Sequence, residues 1–114
     1  GASEGVRFER NLVVCTPRNI SAPGVRLGIS FGGGGTSPGS CRDASCQTHE
    51  HRNGLAANNI VAHCNDVGLD VNRSHAITLT HNTLVNTAGI GARGGSSAQS
   101  LANLFAGGVH TRDG

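Results

Sequence analysis

Asn59-Ile60-Val61, followed by Gly68-Leu69-Asp70-Val71, is the stretch whose recurrence decides the fold. The first phrase returns as Asn11-Leu12-Val13, Asn82-Thr83-Leu84 and Asn103-Leu104-Phe105. The second returns as Gly24-Val25-Arg26-Leu27, Gly89-Ile90-Gly91-Ala92 and Gly108-Val109-His110-Thr111. The interval between Asn phrases is in the low twenties from Asn59 to Asn82 and from Asn82 to Asn103, and roughly twice that from Asn11 to Asn59. A period of this length, in short apolar runs with Asn and Gly between them, signals a repeat in which each unit stacks on its neighbours.

Each repeat predicts short parallel strands that pair with the repeats before and after, about 4.8 Å apart. Val6-Arg7-Phe8 and Ile77-Thr78-Leu79 alternate apolar and polar residues, with less regular equivalents near Gly54–Ala57 and Ala98–Leu101. Asn11, Asn59, Asn82 and Asn103 then open the turns, where stacked amides can bond to one another and to backbone as a structural ladder. Val13, Val61, Leu84 and Phe105 are expected inward on the next strand. On the strand after Gly, Val25, Leu69, Ile90 and Val109, then Leu27, Val71, Ala92 and Thr111, are expected inward. The extra length in the first repeat falls in 32–53, rich in Gly, Ser, Cys, His and charge. It contains no Asn phrase and reads as one long inserted loop. The expected fold is all-β, a right-handed parallel β-helix of about four coils, occupying 1–114 as a single segment. The pattern already runs at Val6 and still runs at Arg112 with no polar cap, which suggests an internal piece of a longer protein.

Composition agrees with a narrow interior. The chain has 114 residues, 18 Gly, three Phe, and no Trp, Tyr or Met. All nine basic residues are Arg, and the formal charge is +2. With no basic run and no aromatic platform, nucleic acid is not an expected partner. No apolar run approaches the roughly 20 residues of a membrane span.

These phrases, with Glu50-His51-Arg52-Asn53-Gly54 and His81-Asn82-Thr83-Leu84, resemble the right-handed parallel β-helix repeat proteins of the pectate-lyase-like superfamily, and in particular exported bacterial members of unassigned activity. The resemblance covers Val6 to Arg112. It implies an extracellular or periplasmic parent that binds or acts on acidic polysaccharide, as a polysaccharide lyase or another carbohydrate-active protein. Calcium is a possible cofactor if the chain is lyase-like. Non-catalytic adhesive or structural stalks share the fold and are the alternative. The lyase members use Arg or Lys as base and acidic clusters for calcium. This chain has no Lys, and Asp66, Asp70 and Asp113 stand singly on different coils.

If the inward columns hold, the outward face of the strand after Gly carries Arg26, Asp70, Gly91 and His110, then Gly28, Asn72, Arg93 and Arg112. Arg forks suit carboxylates. Arg93 and Arg112 are the candidate bases or carboxylate clamps, and His110 is a second candidate base. Arg26, Asp70 and Asn72 are the candidate substrate-binding residues. A plain solvated sheet face explains the same charges.

The inserted loop holds Cys41, Cys46, His49, Glu50 and His51. Three readings stay open for the cysteines: a Cys41–Cys46 disulfide, free thiols, or metal ligation, and His49, Glu50 and His51 form a weak alternative metal set. Cys15 and Cys64 follow ladder Asn residues on adjacent coils, and either form a disulfide or stack as small apolar side chains. The Gly32–Gly35 run lacks the Lys and the helix of a phosphate-binding loop. His75 is expected in a turn between coils and His81 outward at a corner. Ser74, His75 and Asp70 have no spacing that supports a catalytic triad.

Overall fold

The computed structural model describes residues 3–15, 26–33 and 49–111, and among them there is no helix. Fourteen strands follow one another: β1 (Ser3–Glu4), β2 (Arg7–Glu9), β3 (Leu12–Val14), β4 (Ile29–Phe31), β5 (His51–Arg52), β6 (Leu55–Ala57), β7 (Ile60–Ala62), β8 (Leu69–Asn72), β9 (Ser74–His75), β10 (Ile77–Thr80), β11 (Thr83–Val85), β12 (Ile90–Arg93), β13 (Ala98–Leu101) and β14 (Val109–Thr111).

They form four sheets, ordered β1-β5-β9, β13-β10-β6-β2, β11-β7-β3 and β14-β12-β8-β4. Every strand pair is parallel. The chain therefore visits the four sheets in a fixed order, and each visit adds a strand beside the previous one. The last circuit is shorter. It contributes β13 and β14, and reaches the β11 sheet only through the Thr83–Leu104 bridge.

The corners explain why the strands are so short. Gly5, Asn53 and Ala76 precede the strands of the β2 sheet with φ of 67°, 58° and 56°. Arg10, Asn58, His81 and Ala102 precede the four ladder asparagines with φ between 55° and 57°. Each corner turns on a single left-handed residue, a conformation that costs most residues energy and that Asn tolerates better than most.

Register builds the core. Phe8, Ala56 and Leu79 align on one wall, Val13, Val61 and Leu84 on the second, and Ile29, Leu69 and Ile90 with Phe31 and Val71 on the third. Val61, Leu69, Val71, Ile77 and Leu79 are fully buried, and each such side chain contributes about 1.5–3 kcal/mol of transfer free energy. Phe8 meets Phe31 edge-on with ring centroids 5.4 Å apart. Cys15 and Cys64 form a disulfide that ties the first circuit to the second.

Four expectations need correction. In the first circuit Gly28-Ile29-Ser30-Phe31, not Gly24-Val25-Arg26-Leu27, stands beside Gly68-Leu69-Asp70-Val71. Both stretches alternate correctly. The Gly28 stretch prevails because the place beside Gly68 admits only Gly: a side chain at residue 28 would collide with the Gly68 carbonyl and a Val61 methyl. Val25 lies outside the described residues. Secondly, 32–53 is not loop throughout. His51–Arg52 is a strand between β1 and β9, and the same sheet takes up His75, which was expected in a turn. Thirdly, Val109 is 60% exposed and Thr111 is exposed, although both were expected inward, because no further circuit covers them among the described residues. Lastly, Asp70, expected on an open surface, is buried.

Candidate functional site

The outer face of the β4-β8-β12-β14 sheet carries the candidate residues. Its first outward column is Ser30, Asp70, Gly91 and His110. Asp70 is 2% exposed. Its Oδ2 accepts hydrogen bonds from Ser30 Oγ at 3.3 Å and from Arg93 Nη2 at 3.3 Å. Val67, also fully buried, sits against the same spot, since a side chain at Gly91 would meet both the Asp70 carboxylate and the Val67 methyls. Asp70 is thus a covered ionic support and not an open ligand.

Arg93 is the exposed half of that pair, with 32% of its side chain accessible. Its Nε is buried with no hydrogen-bond partner among the described residues. Anchored by Nη2, the guanidinium sits at a fixed place on the sheet surface. Asn72 pairs in register with Arg93, but its side chain lies against the Gly33 and Gly94 backbone. It wedges two circuits together at the sheet edge. His110 Nε2 lies 2.8 Å from the Ala88 carbonyl. A carbonyl only accepts, so this nitrogen carries the proton and is spent on backbone.

Arg26 does not join the column. Its backbone N–H donates to Asn65 Oδ1 at 2.7 Å, at a corner preceding β4. Arg112, Cys41 and Cys46 lie outside the described residues. The structure thus bonds Asp70 to Arg93 and Ser30, places His110 in the same column beyond Gly91, and leaves Arg26 at a corner outside it.

The weak metal set diverges. His51 turns inward against Phe31, ring centroids 5.3 Å apart. Glu50 Oε2 accepts the Gly33 N–H. His49 meets His75 edge-on, with 3.8 Å between ring centroids. Among the described residues no three His, Cys, Asp or Glu side chains are grouped to hold a metal ion. Asp70, already committed to Ser30 and Arg93, does not fit calcium.

The four ladder asparagines bond in sequence. Asn11 N and Nδ2 both donate to Asn59 Oδ1 at 3.0 Å. Asn59 repeats this on Asn82 Oδ1, at 3.0 and 2.9 Å, and Asn82 on Asn103 Oδ1, at 2.8 and 3.0 Å. The remaining Nδ2 hydrogens of Asn59, Asn82 and Asn103 go to the carbonyls of Phe8, Ala56 and Leu79. At the last rung Asn103 Nδ2 also donates to Ser100 Oγ at 2.8 Å. These residues are structural by every contact they make.

Two surfaces escaped the sequence reading. Leu12 and Ile60 stand side by side, and Leu104 follows beyond Thr83, on the outer face of the β3-β7-β11 sheet, at 70%, 49% and 72% exposure. Their place in each Asn phrase, directly after the Asn, gave the signal. A groove of about 350 Å³ opens at the β2–β4 edge between Phe8, Leu12, Gly28 and Ser30, and only the corrected register of the first circuit reveals it.

Fold and site together define an all-β protein of parallel sheets with one disulfide among the described residues and an ion-paired Arg on one of its two four-stranded sheets. Compared with known proteins, the chain matches no family model, no curated protein and no solved structure. No helix among the described residues is long and apolar enough to cross a membrane.

Proposed function

We propose that the chain is a segment of a right-handed parallel β-helix, of the pectate-lyase-like kind, from an exported protein that binds acidic polysaccharide along the β4-β8-β12-β14 face. The fixed order of sheets, the parallel registers and the asparagine rungs support the β-helix reading, and parallel crossovers are right-handed almost without exception. The Cys15–Cys64 disulfide supports an oxidising compartment.

The observation that carries the binding reading is Arg93, half exposed and held from below by buried Asp70. A guanidinium fixed this way loses little freedom when it meets a sugar carboxylate. Binding without cleavage fits the geometry better than catalysis. Arg93 is already committed to the Asp70 carboxylate, and His110 donates its Nε2–H to the Ala88 carbonyl.

The non-catalytic stalk is a second reading, favoured by the same pair, because Asp70 neutralises much of the charge on Arg93. Affinity measurements on alginate, polygalacturonate and chondroitin sulfate separate the two. Binding that weakens about tenfold in Arg93→Gln, equivalent to about 1.4 kcal/mol, is the expected result. Absence of binding, or binding indifferent to residue 93, rejects the polysaccharide reading and leaves the stalk.

A further inference from the structure

Three of the chain's six histidines collect at its shortest sheet. The strands β1, β5 and β9 have two residues each. The corner is held by few backbone bonds: Ser3 N to Glu50 O at 3.3 Å, Gly5 N to Arg52 O at 2.9 Å, Glu50 N to Arg73 O at 2.6 Å and Asn53 N to His75 O at 3.0 Å. Side chains must complete it, and the central one is His51.

His51 is 3% exposed. Its ring lies on Phe31, and residue 54 is a Gly because a side chain there would press on both rings. Nδ1 is 2.6 Å from Ser3 Oγ. Nε2 is buried with no partner among the described residues. This pocket accepts a neutral imidazole, which needs only one donor and one acceptor. An imidazolium would carry two N–H groups, and the Nε2–H would point into apolar surroundings with no acceptor.

The neighbouring charges give little relief. Glu4 on β1 is the one nearby carboxylate that favours protonation, and it is bonded to Arg52. Glu50 turns away to Gly33. Arg52 on β5, Arg73 before β9 and His75 on β9 are the other charged or titratable groups of the corner, and none of them draws a proton to His51. On the outer side, His49 and His75 meet edge-on with ring centroids 3.8 Å apart, and His49 opposes protonation of His75.

We propose that the β1-β5-β9 corner is an acid-released clasp, closed while His51 and His75 are neutral and opened when they take up protons. Burial holds His51 below the ordinary histidine value, with a smaller opposing pull from Glu4. His75 is shifted the same way, by burial and then by His49. A ring whose folded value is depressed binds protons more readily once released. Its contribution is therefore complete above about pH 6.5 and is lost as pH falls through the depressed values below it. The strands nearest these rings open before the ladder and the core, because each is only two residues long.

Amide hydrogen exchange on the full chain, corrected for intrinsic rates and compared at about pH 7.5 and about pH 5, tests the clasp. Gly5, Glu50 and Asn53 amides are expected to lose protection by at least about tenfold relative to Ile60 and Thr83. His51→Gln, which cannot titrate, should flatten that difference. An unchanged ratio between the two amide groups in the wild-type chain overturns the proposal. If the variant fails to fold, the wild-type His51 ring resonances decide. Titration clearly below about 6.5 supports the clasp, and titration at or above it refutes it.

Discussion

Asp70 and Arg93 form the one ion pair of the described residues in which one partner is buried and the other half exposed, Oδ2 to Nη2 at 3.3 Å. The asymmetry has two consequences. Asp70 fixes the guanidinium, and it also cancels part of the charge that an anionic ligand would feel. Asp70→Asn keeps the shape and removes the charge. Because Arg93 is one-third exposed and screened, the substitution should cost only about 1–2 kcal/mol in urea unfolding. If Arg93 is the polysaccharide contact, affinity for polygalacturonate should rise by about threefold or more, with a steeper salt dependence. Unchanged or weaker binding would show that the ligand does not meet Arg93.

The asparagine rungs predict a large loss from a small change. Asn82 is 1% exposed and joins rungs on both sides. Asn82→Ala removes the acceptor for Asn59 N and Nδ2 and the donor to Ala56 O and Asn103 Oδ1. Buried groups left unpaired cost about 1–3 kcal/mol each, so a total loss of about 3 kcal/mol or more is expected. The terminal Asn11 is more exposed and bonds on one side only, so Asn11→Ala should cost clearly less. Equal losses at the two positions would argue against a ladder whose strength lies in its interior rungs.

The disulfide closes a long stretch of chain, with a sequence separation of 49. Constraining a loop of that size stabilises by about 2–4 kcal/mol. Cys15→Ala with Cys64→Ala should lower the stability by that amount, and reduction of the native chain should do the same. Cys64 is buried in the core while Cys15 is only partly so, and Ala leaves a small void there, so the variant should fall slightly further than the reduced protein.

Much of this fold was legible because only Asn supplies both the acceptor and the donors that each rung of the ladder needs. Asn11, Asn59, Asn82 and Asn103 stand at equivalent corners, and the apolar columns after Asn59 and Asn82 follow from period two. The β1-β5-β9 sheet was not legible. Two residues per strand leave no alternation to detect, and His51 and Ser74 are polar residues buried for local reasons. The site was read less well than the fold. Alternation told which face Asp70 takes, but not that Val67 and Arg93 cover it. Sequence gives the side of a sheet, whereas burial depends on neighbours brought from other circuits.

Corner residues offer a stabilising change. Ala102 sits before Asn103 with φ 55°, where a β-carbon is unfavourable, and it is exposed. Ala102→Gly relieves that strain at the cost of a more flexible unfolded chain. A net gain of roughly 0.5 kcal/mol is expected in chemical denaturation. A loss instead would mean that this corner is held too firmly for the strain to be felt.

The register of the first circuit is the remaining point at which two readings of the sequence diverge, and it has its own test. With Gly28 beside Gly68, any side chain at 28 meets the Gly68 carbonyl and Val61, both fixed in the second circuit. Backbone cannot yield there without disturbing Ile29 and Leu69, which pair next to it. Gly28→Ala should therefore cost about 2–3 kcal/mol, near the upper end for overpacking. Gly95→Ala is the control. Nothing lies within 4 Å of an added β-carbon at residue 95, so its cost comes from a φ of 70° alone, about 1 kcal/mol. If Gly28→Ala proved no worse than Gly95→Ala, Ser30 would lose its place beside Asp70. The Ser30–Asp70–Arg93 arrangement would then have to be rebuilt around a different first strand.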